Sequence, residues 1–253
     1  GPPLLGAGWD IFGPWGAFGM MGLWGGGIFL STLLLPADAA PAPQRGAPVT
    51  LRDLMPSVAD YIAAFRLFAI PALAFVMLIS VARHVGAAIQ GSFYVVYLEG
   101  IGVSGTVIGL MMTAAGVLGL AGSLSAAPML RFAASHWLLL WTTVATLVFV
   151  VITPLLEDIP LLLAASGIRG WALAASLVFL ISLISRWAGP GVQGKAMGLR
   201  VTVNQLTSVI VPVVMGAVVE VAGIEASFYV VGVAALVMIV LSGLWARRSR
   251  AFD

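Results

Sequence analysis

Apolar residues run along this chain in stretches near twenty residues long, separated by short breaks rich in Pro, Gly and charge. A helix rises 1.5 Å per residue, so about 20 apolar residues cross the hydrocarbon of a bilayer. The pattern predicts seven such spans: Trp15 to Leu35, Leu67 to Leu98, Val107 to Leu130, Trp137 to Leu156, Leu161 to Ser185, Ala196 to Val221, and Ala226 to Trp245. Gly1 to Phe12 reads as the end of an eighth. Links such as Glu157 to Pro160 and Gly223 to Glu225 are so short that the helices they join must be antiparallel neighbours. The expected fold is all-α and polytopic.

One link is different. Residues 36–66 open with the Pro/Ala-rich run PADAAPAPQRGAP, the composition of a linker. Its second part places Leu51, Leu54, Met55, Val58, Ile62 and Phe65 at helical spacing, with Thr50 as a cap and Asp53 in the first turn. This predicts a short helix lying on the membrane surface.

Composition narrows the function classes. The chain is 61% hydrophobic and 9% charged, against about 45–50% and about 25% in soluble domains. That excludes a water-soluble enzyme, a nucleic-acid-binding module and a disordered chain. There is no cysteine, and the two histidines, His84 and His136, are far apart, so no metal or thiol site is expected. H-E-x-x-H, P-loop and G-x-S-x-G patterns are all missing, and Ser104 in Gly102-Val103-Ser104-Gly105 has no candidate His or Asp at span depth. Neither catalysis nor a cofactor is expected, and no obligate protein partner is implied.

The charges are strongly sided. Alternating spans put Arg45, Arg52, Arg66, Arg131, Arg186, Lys195, Arg200, Arg247, Arg248 and Arg250 on one face. The opposite face carries Asp10, Glu99, Glu157, Asp158, Glu220 and Glu225, with no Lys or Arg. By the positive-inside rule the basic face, with residues 36–66 and the C-terminus, is cytoplasmic.

The chain also repeats itself. Pro2, Gly6, Ala7, Asp10, Gly13, Phe18 and Gly22 recur as Pro212, Gly216, Ala217, Glu220, Gly223, Phe228 and Gly232, each 210 positions later. Asp/Glu is the one substitution in this set of seven. A Pro and small residues near the end of one helix, an acidic turn with Gly, then a glycine on the next helix make a coherent packing unit. Both copies have the same orientation, as in parallel repeats about an axis along the membrane normal. The expected organisation is the end of one half in residues 1–35, a linker in 36–66 and a six-helix half in 67–253. On this reading a counterpart of Arg66 falls about 145 residues before Gly1, room for roughly four further spans and twelve in all.

With these features the chain resembles the major facilitator superfamily. Gly1-Pro2-Pro3-Leu4-Leu5-Gly6 is similar to the end of that family's antiporter-type motif on its fifth helix. Gly194-Lys195-Ala196-Met197-Gly198-Leu199, with Pro212 and Gly216, is similar to its run into the eleventh helix. Phe93-Tyr94-x-x-Tyr97-Leu98, Gly102-x-Ser104 and Ile108-Gly109-Leu110 resemble its passage from the seventh helix to the eighth. The family's basic loop motif is reduced here to Leu130-Arg131-Phe132, without its acidic residue. The resemblance implies helices five (in part) to twelve of a transporter working by alternating access.

Charge inside a span is costly and marks function by default. Arg83 and Arg169 are the two such residues, and no carboxylate sits at comparable depth. Ser80, Arg83, Ala87, Gln90, Tyr94 and Tyr97 share one helical stripe; Arg200, Asn204, Thr207 and Ser208 share another, and Ser166, Arg169 and Ser176 a third. Arg83, Gln90, Tyr94, Tyr97, Arg169, Asn204 and Thr207 are therefore candidates to line a substrate or proton path. The arginines would meet an anionic group or an acid from elsewhere, or else hydrogen-bond to carbonyls inside the bundle. Pro2, Gly6, Asp10 and Gly13, with Pro212, Gly216, Glu220 and Gly223, are expected to be structural. The functional expectation is a secondary active transporter of a small molecule in the plasma (bacterial inner) membrane. Proton-coupled efflux of drug-like compounds leads, suggested by the likeness of GPPLLG to the antiporter motif. Uptake or exchange of a small organic anion, or a non-transporting sensor on the same fold, are the alternatives.

Overall fold

Eight helices account for nearly all of the residues that the computed structural model describes, namely 2–33, 65–189, 192–248 and Phe252. They are α1 (Pro2–Leu33), α2 (Pro71–Gly91), α3 (Phe93–Gly100), α4 (Gly105–Met129), α5 (Ser135–Val151), α6 (Ile159–Ala188), α7 (Gln193–Ala222) and α8 (Ile224–Arg248). The linker and the surface helix expected over residues 36–64 lie outside the described residues.

Local chemistry sets the helix ends. Ile70 is extended because Pro71 follows it, and Pro71 then opens α2. Ser104 caps α4, its Oγ accepting from the Val107 N–H at 3.4 Å. Gly189 and Gly223 close α6 and α7 at φ 69° and 87°, backbone angles that glycine adopts without strain.

Three expectations change in detail. α1 is one run in name but two arms in space: at Gly13 (φ 64°, ψ −157°) the chain reverses, bringing Gly8 against Gly16. The arms 2–12 and 14–33 correspond to the expected end of one span and the whole of the next. The span expected as continuous from Leu67 to Leu98 is broken. A short 3-10 turn at Arg66–Ala69 precedes it, and the helix is interrupted at Ser92 (φ −120°, ψ −74°) between α2 and α3. Gly91 sits at that break in open space, whereas Gly86 stays helical and packs near Leu147 and Thr146 of α5. α5 has 17 residues and is continued by the turn Thr153–Leu155. Six of the other described helices are long and apolar enough to cross a membrane.

α2 is the centre of the bundle, packing on α5, α6, α7 and α8, and Leu73, Val76, Ile79 and Ala82 on it are fully buried. α4 and α6 meet along glycine: a Cβ on Gly170 would fall on the backbone of Ala115, and one on Gly122 on the carbonyl of Trp171. The Trp171 indole N–H, donating to Ser125 Oγ at 3.1 Å, fixes the same seam. On α5 the buried Thr142, Thr143 and Thr146 hydroxyls donate to carbonyls one turn back in their own helix, which leaves no bare polar group in an apolar wall. Trp15, Trp24, Leu124, Phe132 and Val213 instead point outward, where a membrane-spanning bundle meets lipid.

Candidate functional site

The polar stripes of α2, α3, α6 and α7 meet inside the bundle. Ser80 Oγ donates to Asn204 Oδ1 at 3.1 Å, and His84 Nε2 lies 2.7 Å from Ser208 Oγ. Both pairs join residues 124 apart in sequence, so α2 and α7 run parallel in fixed register. On the other flank, Arg83 Nε donates to Ser176 Oγ at 2.9 Å and its Nη2 to the Leu173 carbonyl at 3.2 Å. Ser176 Oγ donates to the same carbonyl at 2.7 Å. Arg83 thus takes the carbonyl-bonding role, and holds α6 to α2.

Arg169 is in a different position. Its guanidinium lies over the Tyr94 ring, 4.3 Å from the centroid. Tyr94 Oη is in turn 2.7 Å from Ser166 Oγ, one turn away on α6. Arg169 is 2% exposed, yet among the described residues its Nε and Nη2 have no hydrogen-bond partner. These two nitrogens form one edge of the guanidinium, the side that takes a carboxylate or phosphate bidentately. Leaving such a fork dry and unpaired costs several kcal/mol, so the arrangement is primed for an acceptor. The Tyr94 ring and hydroxyl together meet part of the charge, but neither makes a hydrogen bond of good geometry to that edge.

Among the described residues no carboxylate reaches this depth. Asp10, Glu99, Glu157, Asp158, Glu220 and Glu225 all stand at helix ends on the opposite face from Arg131, Arg186, Arg247 and Arg248.

The remaining candidates are dispersed. Gln90 reaches only Met112 Sδ at 3.8 Å. Tyr97 packs on Phe228 of α8, centroids 5.5 Å apart, with its hydroxyl 3.5 Å from the Pro154 carbonyl, away from the Arg169 group. The Thr207 hydroxyl bonds to the Val203 carbonyl of its own helix. Ser208 is drawn into the polar seam by His84, and Arg200, on the same α7 stripe, keeps a buried Nε without a partner among the described residues. The charge pattern had counted Arg200 with the flanking cations; its place seven residues inside α7 was the available signal.

The two copies of the repeated motif have different surroundings. A Cβ on Gly6 would land on the Gly105 carbonyl, and one on Gly109 on the Pro2 carbonyl, so α1 lies directly against α4. Asp10 accepts from the Gly105 and Thr106 N–H groups, both at 2.8 Å, and from the Thr106 hydroxyl at 2.7 Å. Gly13 and Gly223 both have positive φ, the turn conformation that the repeat requires. Pro212 lies within α7, Gly216 faces open space, and Glu220 is exposed.

A bundle of long apolar helices with a polar seam buried at mid-depth defines an integral, multi-pass membrane protein of the transporter class. The family model described as Major Facilitator Superfamily matches residues 73–252, and the chain belongs to that family. Members of it are membrane transporters, and a small-molecule substrate follows from that membership. A search of the curated proteins returns no match to the chain.

Proposed function

We propose that this protein is a secondary active transporter of a small organic anion, working by alternating access in the plasma membrane, with the basic face cytoplasmic. The buried Nε/Nη2 edge of Arg169, without a hydrogen-bond partner among the described residues and backed by Tyr94 and Ser166, carries this reading. The substrate's carboxylate or phosphate would complete that edge. Residues 1–35 would then belong to one half and 67–253 to the other. The hydrogen bonds of Asp10 to the start of α4 would hold the two together on the acidic face, and rocking the halves would require that contact to open.

A second reading, proton-coupled efflux of drug-like compounds, rests on the likeness of the GPPLLG segment to the antiporter motif, of which Pro2 and Gly6 pack closely on α4. The two readings separate in a solute panel. The intact protein, reconstituted in liposomes, is assayed for counterflow of radiolabelled succinate, benzoate and phosphate beside the lipophilic cation tetraphenylphosphonium. Anion flux that falls at least about tenfold in Arg169→Gln supports the proposal, a loss on the scale of one charged hydrogen bond. Flux of the cation alone would favour efflux of cationic compounds, and no flux of any probe would favour a non-transporting sensor.

A further inference from the structure

Three arginines lie in steps along the seam. Arg83 is level with Ser176 through their hydrogen bond, and Arg169 lies seven residues further along α6 toward the acidic face, a rise of roughly 10 Å. The fixed register of α2 with α7 sets Arg83 level with Thr207. Arg200 is seven residues from Thr207 in the other direction, again roughly 10 Å. The middle arginine is bonded within the bundle, whereas the outer two each keep buried N–H groups without a partner among the described residues.

Arg200 also has cationic company. Arg83 and Arg200 are near enough to feel each other's charge, and both act on His84. Among the described residues no acid compensates them. Arg200 is half-buried and its Nε is enclosed; like charges gathered at such a place attract an anion, and the enclosed N–H needs an acceptor.

From this we infer that the seam holds a second anion position, built on Arg200 with Arg83 and His84 behind it, on the basic-face side of Arg169. It rests on the anion reading above and deepens it. A carboxylate or phosphate group bound at Arg169 has, some 20 Å along the axis by the same rise, a second cationic position at which to pause before leaving the bundle. The bonded Arg83 lies between the two as a fixed positive charge rather than as a ligand.

Residues 1–253 contain no cysteine, so one introduced at Val203 is the sole thiol among them, and the unsubstituted protein supplies the background rate. Val203 is one turn from Arg200 and partly exposed. The test compares modification of Val203→Cys by the anionic sulfonatoethyl and the cationic trimethylammonium-ethyl methanethiosulfonate reagents, with the intact protein in phosphatidylcholine vesicles free of anionic lipid. The anionic-to-cationic rate ratio is expected to exceed that of free mercaptoethanol by about fivefold or more, the scale of a nearby unit charge at intermediate dielectric. Arg200→Gln should remove that excess and Arg200→Lys should keep it, which separates charge from misfolding. Added succinate should slow the anionic reagent.

A ratio that does not respond to Arg200→Gln overturns the second position, as does a thiol that neither reagent reaches. The same measurement at Leu173→Cys, one turn from Arg169, with Arg169→Gln, tests the underlying reading by itself. If Leu173→Cys responds and Val203→Cys does not, the second position fails while the anion reading stands. The reverse result would support an isolated Arg200 position and remove the reading.

Discussion

Asp10 and Thr106 join the first helix to the start of the fourth: one carboxylate oxygen accepts both the Thr106 N–H at 2.8 Å and its hydroxyl at 2.7 Å, and the other accepts the Gly105 N–H. A carboxylate here satisfies N–H groups that a helix start leaves bare, and its charge suits the positive end of the helix dipole. Asp10→Ala should free both amides, and hydrogen exchange over 103–107 should speed up on the order of tenfold. Thr106→Val removes one of three bonds and should give a smaller increase. Unchanged exchange in Asp10→Ala would show that the contact is incidental.

The glycines of the helix seams differ in what a methyl group would meet. Gly170→Ala pushes into the backbone of Ala115 and Gly6→Ala into the Gly105 carbonyl, while Gly116→Ala enters open space. Thermal unfolding in detergent should show the first two destabilised by about 1–3 kcal/mol and the third nearly unchanged. Equal effects at all three sites would contradict the packing described.

Arg83 and Tyr94 make opposite forecasts for neighbouring positions. Arg83→Gln strips the donors from Ser176 and the Leu173 carbonyl, so it should lower stability by about 2–4 kcal/mol and affect transport through stability. Tyr94→Phe keeps the ring under Arg169 and loses the bond to Ser166, for about 1 kcal/mol. Tyr94→Leu removes the ring and should raise the KM for an anionic substrate as well. A normal KM in Tyr94→Leu would disconnect the aromatic face from binding.

At the basic face, the His136 ring stacks on Phe252, centroids 4.3 Å apart and planes 4° from parallel. Burial holds the proton affinity of His136 below the ordinary histidine range. A group whose folded value is depressed contributes stability above its unfolded value, near pH 6.5, and loses that contribution as pH falls through the folded value. Between about pH 8 and about pH 5 the melting temperature of the native protein should therefore drop more than that of His136→Phe. Parallel curves would show that the ring does not titrate with unfolding.

Much of the fold could be read from hydrophobic run length, because lipid forces every backbone bond inside a helix and so ties span to sequence. The turn glycines were legible for a related reason: Gly13 and Gly223 recur in register, and both adopt positive φ. The interruption at Ser92 was less so, since no local pattern separates Gly91, which lies beside it in open space, from Gly86, which stays helical against α5. Intramembrane charge pointed to Arg83 and Arg169 together, but not to which one is bonded within the bundle. That depends on Ser176 and Leu173 being level with Arg83, a matter of helix register that no local pattern contains. Likewise Asp10 was legible as an acidic turn, while its partner Thr106 is brought in from a different helix.

The most direct measurement is the KM for anion counterflow in proteoliposomes of the native protein beside Arg169→Lys and Arg169→Gln. Lysine keeps the charge and loses the two-pronged edge, so KM should rise about tenfold with Lys, and Gln should abolish saturable flux. Native KM and rate in Arg169→Gln would contradict the assignment of that edge to the substrate.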